Sequence, residues 1–261
     1  MGQLAGGIAH EVNNLLQPIS GYAELGLMIT ESTSETHDFL TEIQTAATHA
    51  AEFVRQVERY ARRHRPVTTS LAIGPAIEAA LARLHRTLPT LEIDLGMAQD
   101  TGDVVADREG LEDLLGILLR NAWEAQGGQG CVHVHVQAAP PLDPAPLCQN
   151  AGAGVPALDL IVQDHGTGMP PEVATNAFAP FYSTRGAGEG RGLGLAIAQG
   201  IVEGWCGQIF LTTGVGRGTE VRVRLPRIGP GWHPETPGAC PLGRREACLR
   251  QGVRLKALGG D

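Results

Sequence analysis

The chain has 261 residues, a hydrophobic content of 43% and a formal net charge of −8, which is compatible with two modest domains. The negative charge argues against nucleic acid or an anionic membrane surface as a partner. No apolar run approaches the roughly 20 residues of a membrane span, and Met1 is not followed by a signal peptide, so we expect a cytoplasmic protein. The five cysteines lack paired short spacings and predict neither a disulfide framework nor a zinc site.

Two amphipathic helices are predicted over the first quarter of the chain. Apolar residues recur at steps of three and four from Leu4 to Tyr22 and again from Leu40 to Ala61, with a polar turn at 30–34 between them. A single hairpin cannot bury one apolar stripe on each helix. We therefore predict a homodimer in which two hairpins, each formed by residues 1–66, build a four-helix bundle.

The second predicted domain spans residues 70–226, where helix-like and strand-like segments alternate. This alternation predicts an α+β sandwich with helices on one face of a sheet. A helix is expected over 109–126 with Asp107 as its N-terminal cap. The predicted strands are 132–136, 158–162, 207–212 and 220–225. The Pro-, Ala- and Gly-rich segment 138–156 is expected to be a loop insertion, and residues 227–261 a tail of unknown role.

His10 stands on the first predicted helix, roughly opposite the apolar stripe, so its imidazole should face water. Glu11 follows it directly, and Asn14 lies one turn later on the same face. A neutral imidazole nitrogen can attack a phosphoryl group, and a nearby carboxylate can orient the ring and accept its other proton. The remaining histidines, including His133 and His135 on a predicted strand, are expected to be structural or solvent-facing.

Later segments of the chain suit a nucleotide. Asn121 is polar within a helix otherwise lined by leucine and isoleucine, where an amide is costly without a partner. Asp164 ends an apolar strand, and Gly166 and Gly168 after it allow a tight turn and a close approach to a ligand. The glycine-rich loop 188–194 leads into a helix, where backbone amides can meet phosphate oxygens.

Four motifs carry a resemblance to a known family. In chain order they are GGIAHEVNN at 6–14, LRNA at 119–122, DHGTG at 164–168 and GEGRGLGL at 188–195. As a set they resemble the core of a sensor histidine kinase, over about residues 1–226. Two weaker segments, FAPFYSTR at 178–185 and GRGT at 216–219, are similar to the phenylalanine box of the kinase lid and to the last glycine box.

The resemblance implies that ATP, bound with Mg²⁺, phosphorylates His10, with Glu11 as the base. An aspartate of a response regulator would then take the phosphoryl group, and the amide of Asn14 would orient a water that dephosphorylates this regulator. Asn121 would bind Mg²⁺, and Asp164 would accept from the adenine amino group. The residues expected at the nucleotide are Asn121, Asp164, Gly166, Gly168, Arg185, Gly190, Gly192, Leu193, Gly194 and Thr219.

Three positions depart from the family pattern. Ile117 stands where many such kinases carry asparagine and where related ATPases carry the catalytic glutamate, which argues against a gyrase-like or chaperone-like ATPase. Arg191 replaces a small residue of the glycine loop, and Trp205-Cys206 stands where His-Gly is common. The substitutions at Ile117 and Arg191 leave open a degenerate kinase that serves as a dimeric ATP-binding scaffold. A second alternative is a kinase-like protein that acts mainly as a phosphatase through Asn14.

The motifs are compatible with phosphorylation of His10 within a subunit or between the subunits of the dimer.

Overall fold

A computed structural model describes residues 2–62, 69–98, 101–142, 155–183, 192–228 and 254–257. The helices are α1 (Gly2–Ile29), α2 (Glu35–Arg62), α3 (Ile73–Leu84), α4 (Arg108–Ala125), α5 (Pro171–Asn176) and α6 (Gly194–Gly204). The strands are β1 (Ser70–Ala72), β2 (Glu92–Met97), β3 (Asp103–Val105), β4 (Cys131–Leu142), β5 (Val155–Asp164), β6 (Gln208–Thr213), β7 (Thr219–Ile228) and β8 (Arg254–Ala257). Within these ranges, no helix combines the length and the apolar character that crossing a membrane requires.

The first domain is the predicted helical hairpin of α1 and α2. Ser34 caps the start of α2, since its hydroxyl accepts a hydrogen bond from the backbone N–H of His37 at 3.2 Å. Ala23, Ala47 and Val54 are buried. Larger apolar side chains of the same hairpin are exposed, Tyr22 at 74% among them. One hairpin therefore leaves part of its apolar surface uncovered.

The second domain is an α+β sandwich, which confirms the predicted fold class. Its sheet has the strand order β1-β3-β7-β5-β4-β2, with β6 paired to β7 and β8 paired to β6. Strands β2 and β4 are parallel, as are β6 and β8, whereas the other neighbouring strands run antiparallel. Alternate residues of β4 and β7 face a core that also contains the buried leucines of α4. The helices thus cover one face of the sheet.

The strands extend further than the sequence pattern predicts. Ala138–Leu142 continues β4 and pairs with β5, so the predicted loop insertion is wrong at both of its ends, and residues 143–154 lie outside the described part. The register shifts between Ala139 and Leu142, where two prolines stand, because proline lacks the N–H of a regular ladder. At the other end of the domain, β7 continues to Ile228 and β8 pairs with β6. The sheet therefore passes the predicted boundary at 226.

A hydrogen-bonded tie joins the start of α4 to the end of α6. The carboxylate of Asp107 accepts from the backbone N–H of Gly110 through Oδ1 at 2.7 Å and from the indole of Trp205 through Oδ2 at 3.1 Å. Trp205 is 1% exposed, and a Cβ on Gly110 would lie 2.8 Å from its ring. The unusual tryptophan therefore has a structural role, and it fixes one end of the helix that carries Asn121.

Cys206, the second unusual residue, ends α6 in the left-handed region with φ of 59°. Its N–H donates to the carbonyl of Glu203 at 3.0 Å, and the N–H of Gly207 donates to Val202 at 2.9 Å. This pair of bonds is the Schellman arrangement, in which glycine normally occupies the left-handed position. The glycine common in the family is thus replaced without loss of the helix-ending geometry.

The Asp107 tie makes a testable contribution to stability. We expect Asp107→Ala to lower the free energy of unfolding by about 2 kcal/mol, since it removes the helix cap and leaves a buried indole N–H without an acceptor. Urea denaturation measures this change, and Arg108→Ala at the exposed neighbouring position should alter stability by less than about 0.5 kcal/mol. Equal stability of the two variants would contradict the role assigned to Asp107.

Candidate functional site

Helix α1 carries His10, Glu11 and Asn14. Residues separated by four positions lie on the same face of a helix, so the backbone places Asn14 one turn beyond His10. The side chain of Asn14 is exposed. The side chains of His10 and Glu11 lie outside those that the structure describes.

A cavity of about 950 Å³ lies in the second domain, lined by residues of α4, the end of β5, the start of β7 and the start of α6. Seven of the residues predicted to bind nucleotide line it: Asn121, Asp164, Gly168, Gly192, Leu193, Gly194 and Thr219. Gly166 instead contributes a hydrogen bond to Asp164. Arg185 and Gly190 lie outside the described residues. The fold thus brings together positions that are up to about a hundred residues apart in the sequence.

Asp164 contributes a buried carboxyl group to this cavity, with 5% of its surface exposed. Its Oδ1 atom accepts from the backbone N–H of Gly166 at 2.8 Å and from that of Thr219 at 3.1 Å. Burial raises the pKa of the carboxyl group, and the two amide hydrogen bonds oppose that rise. Among the described residues no donor contacts Oδ2, so this oxygen is available to a ligand.

A buried threonine that the sequence reasoning missed supports this arrangement. The hydroxyl of Thr213 accepts from the N–H of Met169 at 3.0 Å and donates to the carbonyl of Gly218 at 3.0 Å. It also lies 3.1 Å from the hydroxyl of Thr219. The network joins the ends of β6 and β7 to the loop after Asp164. The alternating pattern of β6 gave no signal for it, because a threonine fits that pattern as well as any strand residue.

The glycines after Asp164 are required by close backbone packing. A Cβ on Gly166 would lie 2.4 Å from the carbonyl oxygen of Ala125, at the end of α4. Gly168 has φ of 63°, and a Cβ there would lie 1.9 Å from the carbonyl oxygen of Gly214. The N–H of Thr167 donates to Ala125 at 3.2 Å. These contacts hold the loop against both α4 and the β6–β7 turn, at the floor of the cavity.

Asn121 faces the same cavity from α4. A Cβ built on Gly194 would lie 3.8 Å from its Nδ2 atom and 3.9 Å from its Oδ1 atom, and 3.3 Å from the side chain of Ile117 one turn earlier. The side-chain amide of Asn121 makes no hydrogen bond to another residue within the described part of the chain. Since an amide oxygen suits a hard cation, Asn121 is a described group that can hold Mg²⁺ beside a bound phosphate.

The end of the glycine-rich loop meets the segment resembling a kinase lid. Gly192, with φ of 65°, accepts from the N–H of Phe181 at 2.9 Å, and Leu193 is buried just before α6 begins. Phe178 packs into the hydrophobic core, whereas Phe181 is exposed and has φ of 66°. The two phenylalanines of this segment therefore differ, since Phe178 is a core residue and Phe181 is an exposed residue bonded to Gly192.

Comparison with known proteins identifies both domains. Residues 1–66 match the family described as "His Kinase A (phospho-acceptor) domain", and residues 106–228 match "Histidine kinase-, DNA gyrase B-, and HSP90-like ATPase". The sensor kinase CckA of Brucella abortus is 34% identical over 234 residues, covering 87% of this chain and 24% of its own length. The sensor histidine kinase ZraS of Salmonella typhimurium is 27% identical over 230 residues, covering 87% of this chain and 46% of its own.

The fold is shared with solved kinases. Full-length ShkA in complex with AMPPNP is similar over 98% of this chain and 55% of that protein, with a TM-score of 0.65 at 20% identity. The chain spans between about a quarter and a half of the length of the curated relatives named above. With a phosphoacceptor domain followed by an ATP-binding domain, the chain belongs to the sensor histidine kinases, of which it comprises a kinase core.

Proposed function

We propose that this chain is an ATP-dependent protein-histidine kinase. ATP bound with Mg²⁺ in the cavity between α4, α6 and the sheet phosphorylates His10, and the phosphoryl group then passes to an aspartate of a response regulator. The observation that carries the proposal is the buried Asp164 carboxylate, which is oriented by two amides with one oxygen left for a ligand. The phosphoacceptor domain on the same chain distinguishes this reaction from plain ATP hydrolysis.

Adenine fits the deep part of the cavity. Its exocyclic amine is a donor, and Oδ2 of Asp164 is an acceptor without a protein partner among the described residues. Met169 and Val173 supply apolar walls of the same cavity. An aromatic base in such a slot gains from burial, and one fixed acceptor gives it orientation. The start of α6 lines the other end of the cavity, where amides can face phosphate oxygens.

Mg²⁺ fits Asn121, whose amide lacks a protein partner within the described residues. When bound, the ion neutralises charge on the phosphates and helps to fix their position. Ile117, one turn earlier on α4, provides no ligand atom.

The chemical step is an attack of a neutral His10 nitrogen on the γ-phosphorus of ATP. The N–P bond forms as the bond to the β-phosphate oxygen breaks, and ADP leaves. We assign to Glu11, the next residue on α1, the roles of orienting the imidazole and accepting its other proton. Nothing else on the nucleotide needs to change covalently.

The active form proposed is a homodimer. Exposed apolar side chains of α1 and α2 include Leu15, Ile19, Tyr22, Leu25 and Ile43. A second hairpin would cover this surface and complete a four-helix bundle. We place the reaction in the cytoplasm, because ATP and response regulators are present there.

The assignment of His10 as acceptor is tested by labelling. Incubation with Mg²⁺ and γ-labelled ATP should give acid-labile, alkali-stable label on the full chain, and His10→Gln should abolish it because the attacking nitrogen is lost. His37→Gln on α2 serves as the matched control and should retain the label. Measurable ATP binding without any label would favour the dimeric scaffold alternative.

The assignment of Asp164 is tested by Asp164→Asn. An asparagine can keep its Oδ1 on the two amides, but its Nδ2 would then face the adenine amine, donor against donor. We expect ATP affinity to fall at least about tenfold, equivalent to about 1.4 kcal/mol, in a fluorescent-nucleotide displacement assay.

The same substitution should leave the urea midpoint unchanged or higher. Because burial raises the pKa of Asp164, its ionised form opposes folding above that pKa, and a neutral amide removes this opposition. Weaker ATP binding caused by general unfolding would lower the midpoint and contradict the specific role.

A second activity, dephosphorylation of the regulator, is favoured by the exposed position of Asn14 one turn beyond His10. Its amide can hold a water by hydrogen bonds on the face that presents the phosphoacceptor. We expect Asn14→Ala to slow dephosphorylation of a receiver domain phosphorylated by this chain by about tenfold or more. Autophosphorylation should persist, and the exposed neighbour Gln17 provides the control variant Gln17→Ala. Normal dephosphorylation by Asn14→Ala would exclude this role.

A further inference from the structure

The outer face of the sheet carries a group of potential metal ligands that the proposed kinase function does not use. Alternation along β4 buries Val132, Val134 and Val136 in the core and places the histidines between them on the opposite face. The parallel partner β2 sets Asp94 beside His133 and Gly96 beside His135. The register of two strands therefore assembles two imidazoles and a carboxylate at one edge of the sheet.

The three side chains converge. The Nδ1 atom of His133 lies 3.0 Å from Oδ2 of Asp94. The rings of His133 and His135 are parallel within 4°, with centroids 6.1 Å apart. One ligand atom from each of Asp94, His133 and His135 lies within 4.8 Å of the other two. In a tetrahedral site with bonds of about 2.0–2.1 Å, ligand atoms are about 3.4 Å apart, so small side-chain rotations suffice.

Gly96 makes room for this arrangement. A Cβ at this position would lie 2.5 Å from Nδ1 of His135 and 3.1 Å from its Cε1 atom. The ring of His135 therefore lies above Gly96 of β2, the strand that also carries Asp94. A hydrogen-bonded surface pair would account for Asp94 and His133, but it would not require the third side chain to occupy the space above a glycine.

We propose that Asp94, His133 and His135 form a binding site for a divalent transition metal, with zinc as the ion that suits them. Neutral imidazole is a common ligand of zinc, nickel and copper, and one carboxylate completes a three-residue set with a further position for water. The side chains remain accessible from solvent, at 30% for His133 and 60% for Asp94. An ion could therefore enter without rearrangement of the sheet.

The site is separate from the nucleotide cavity. Val162, Leu211 and Val221 line that cavity from the core-facing side of the sheet, whereas the proposed ligands stand on the other side. Magnesium prefers oxygen ligands in octahedral geometry, so a set with two imidazoles does not suit it. The loop after β5 nevertheless comes close, since the ring of His165 lies edge-on to that of His133 with centroids 5.2 Å apart. Asp164 precedes this histidine directly.

Zinc titration of the full chain tests the proposal. The protein is prepared without a polyhistidine tag, stripped with a chelator and titrated with Zn²⁺ against a chromophoric indicator. We expect the wild type to bind one zinc ion per chain at this site. His133→Gln and His135→Gln should each lower the affinity for that ion by at least about tenfold, because each removes a direct ligand. Asp94→Asn should lower the affinity for the same zinc ion. His85→Gln, at an exposed histidine outside the cluster, should bind as the wild type does, and excess Mg²⁺ should not displace the zinc.

Two results would overturn the proposal. One is equal zinc affinity and stoichiometry in the wild type, His133→Gln and His135→Gln. The other uses the unmodified chain: Co²⁺ added in place of zinc should produce the visible absorption bands of a tetrahedral site, and their absence would contradict the ligand set. Retained ATP binding by the variants shows that the domain is folded, and the cobalt spectrum does not depend on the variants at all.

Discussion

The nucleotide cavity depends on one buried carboxylate at the end of a strand. Asp164 stands where β5 stops, and its Oδ1 atom is held by amides from the following loop and from the start of β7. A buried carboxylate without such partners would carry a large desolvation cost. The two hydrogen bonds offset part of that cost and at the same time fix the direction in which the second oxygen points. The same two bonds thus stabilise the buried group and orient its second oxygen.

The surrounding segments serve that geometry. Gly166 and Gly168 let the loop lie against the end of α4 and the β6–β7 turn at distances that a side chain would prevent. The hydroxyl of Thr213 connects this loop to the β6–β7 turn, since it accepts from the N–H of Met169 and donates to the carbonyl of Gly218. At the opposite end of α4, the hydrogen bond from the Trp205 indole to the capping carboxylate of Asp107 connects the helix to the end of α6. Asn121 therefore faces the cavity from a helix that is held at both ends.

The positions that depart from the family pattern have different physical meanings. Trp205 and Cys206 are accommodated by packing and by a helix-ending turn, so they do not weaken the case for a working nucleotide site. Ile117 is different because it lines the cavity and contributes no polar atom there. Among the described side chains of α4, the polar one nearest the start of α6 is therefore the amide of Asn121.

The order of the domains, the hairpin, the main helix and four strands could be predicted from the residues alone, because these elements are set by local periodicity and by caps such as Asp107. The sequence pattern also singled out Asp164 and Asn121, since a polar residue that interrupts an apolar run is visible in one dimension. Features that depend on strand register and on contacts distant in the sequence became visible in the folded chain. The bonds from Thr219 and Thr213, the strand ends beyond the prolines of β4, and the pairing of β8 are of this kind. The same holds for Asp94, His133 and His135, because an alternating histidine pair looks like any solvated strand face until a neighbouring strand places a carboxylate and a glycine beside it.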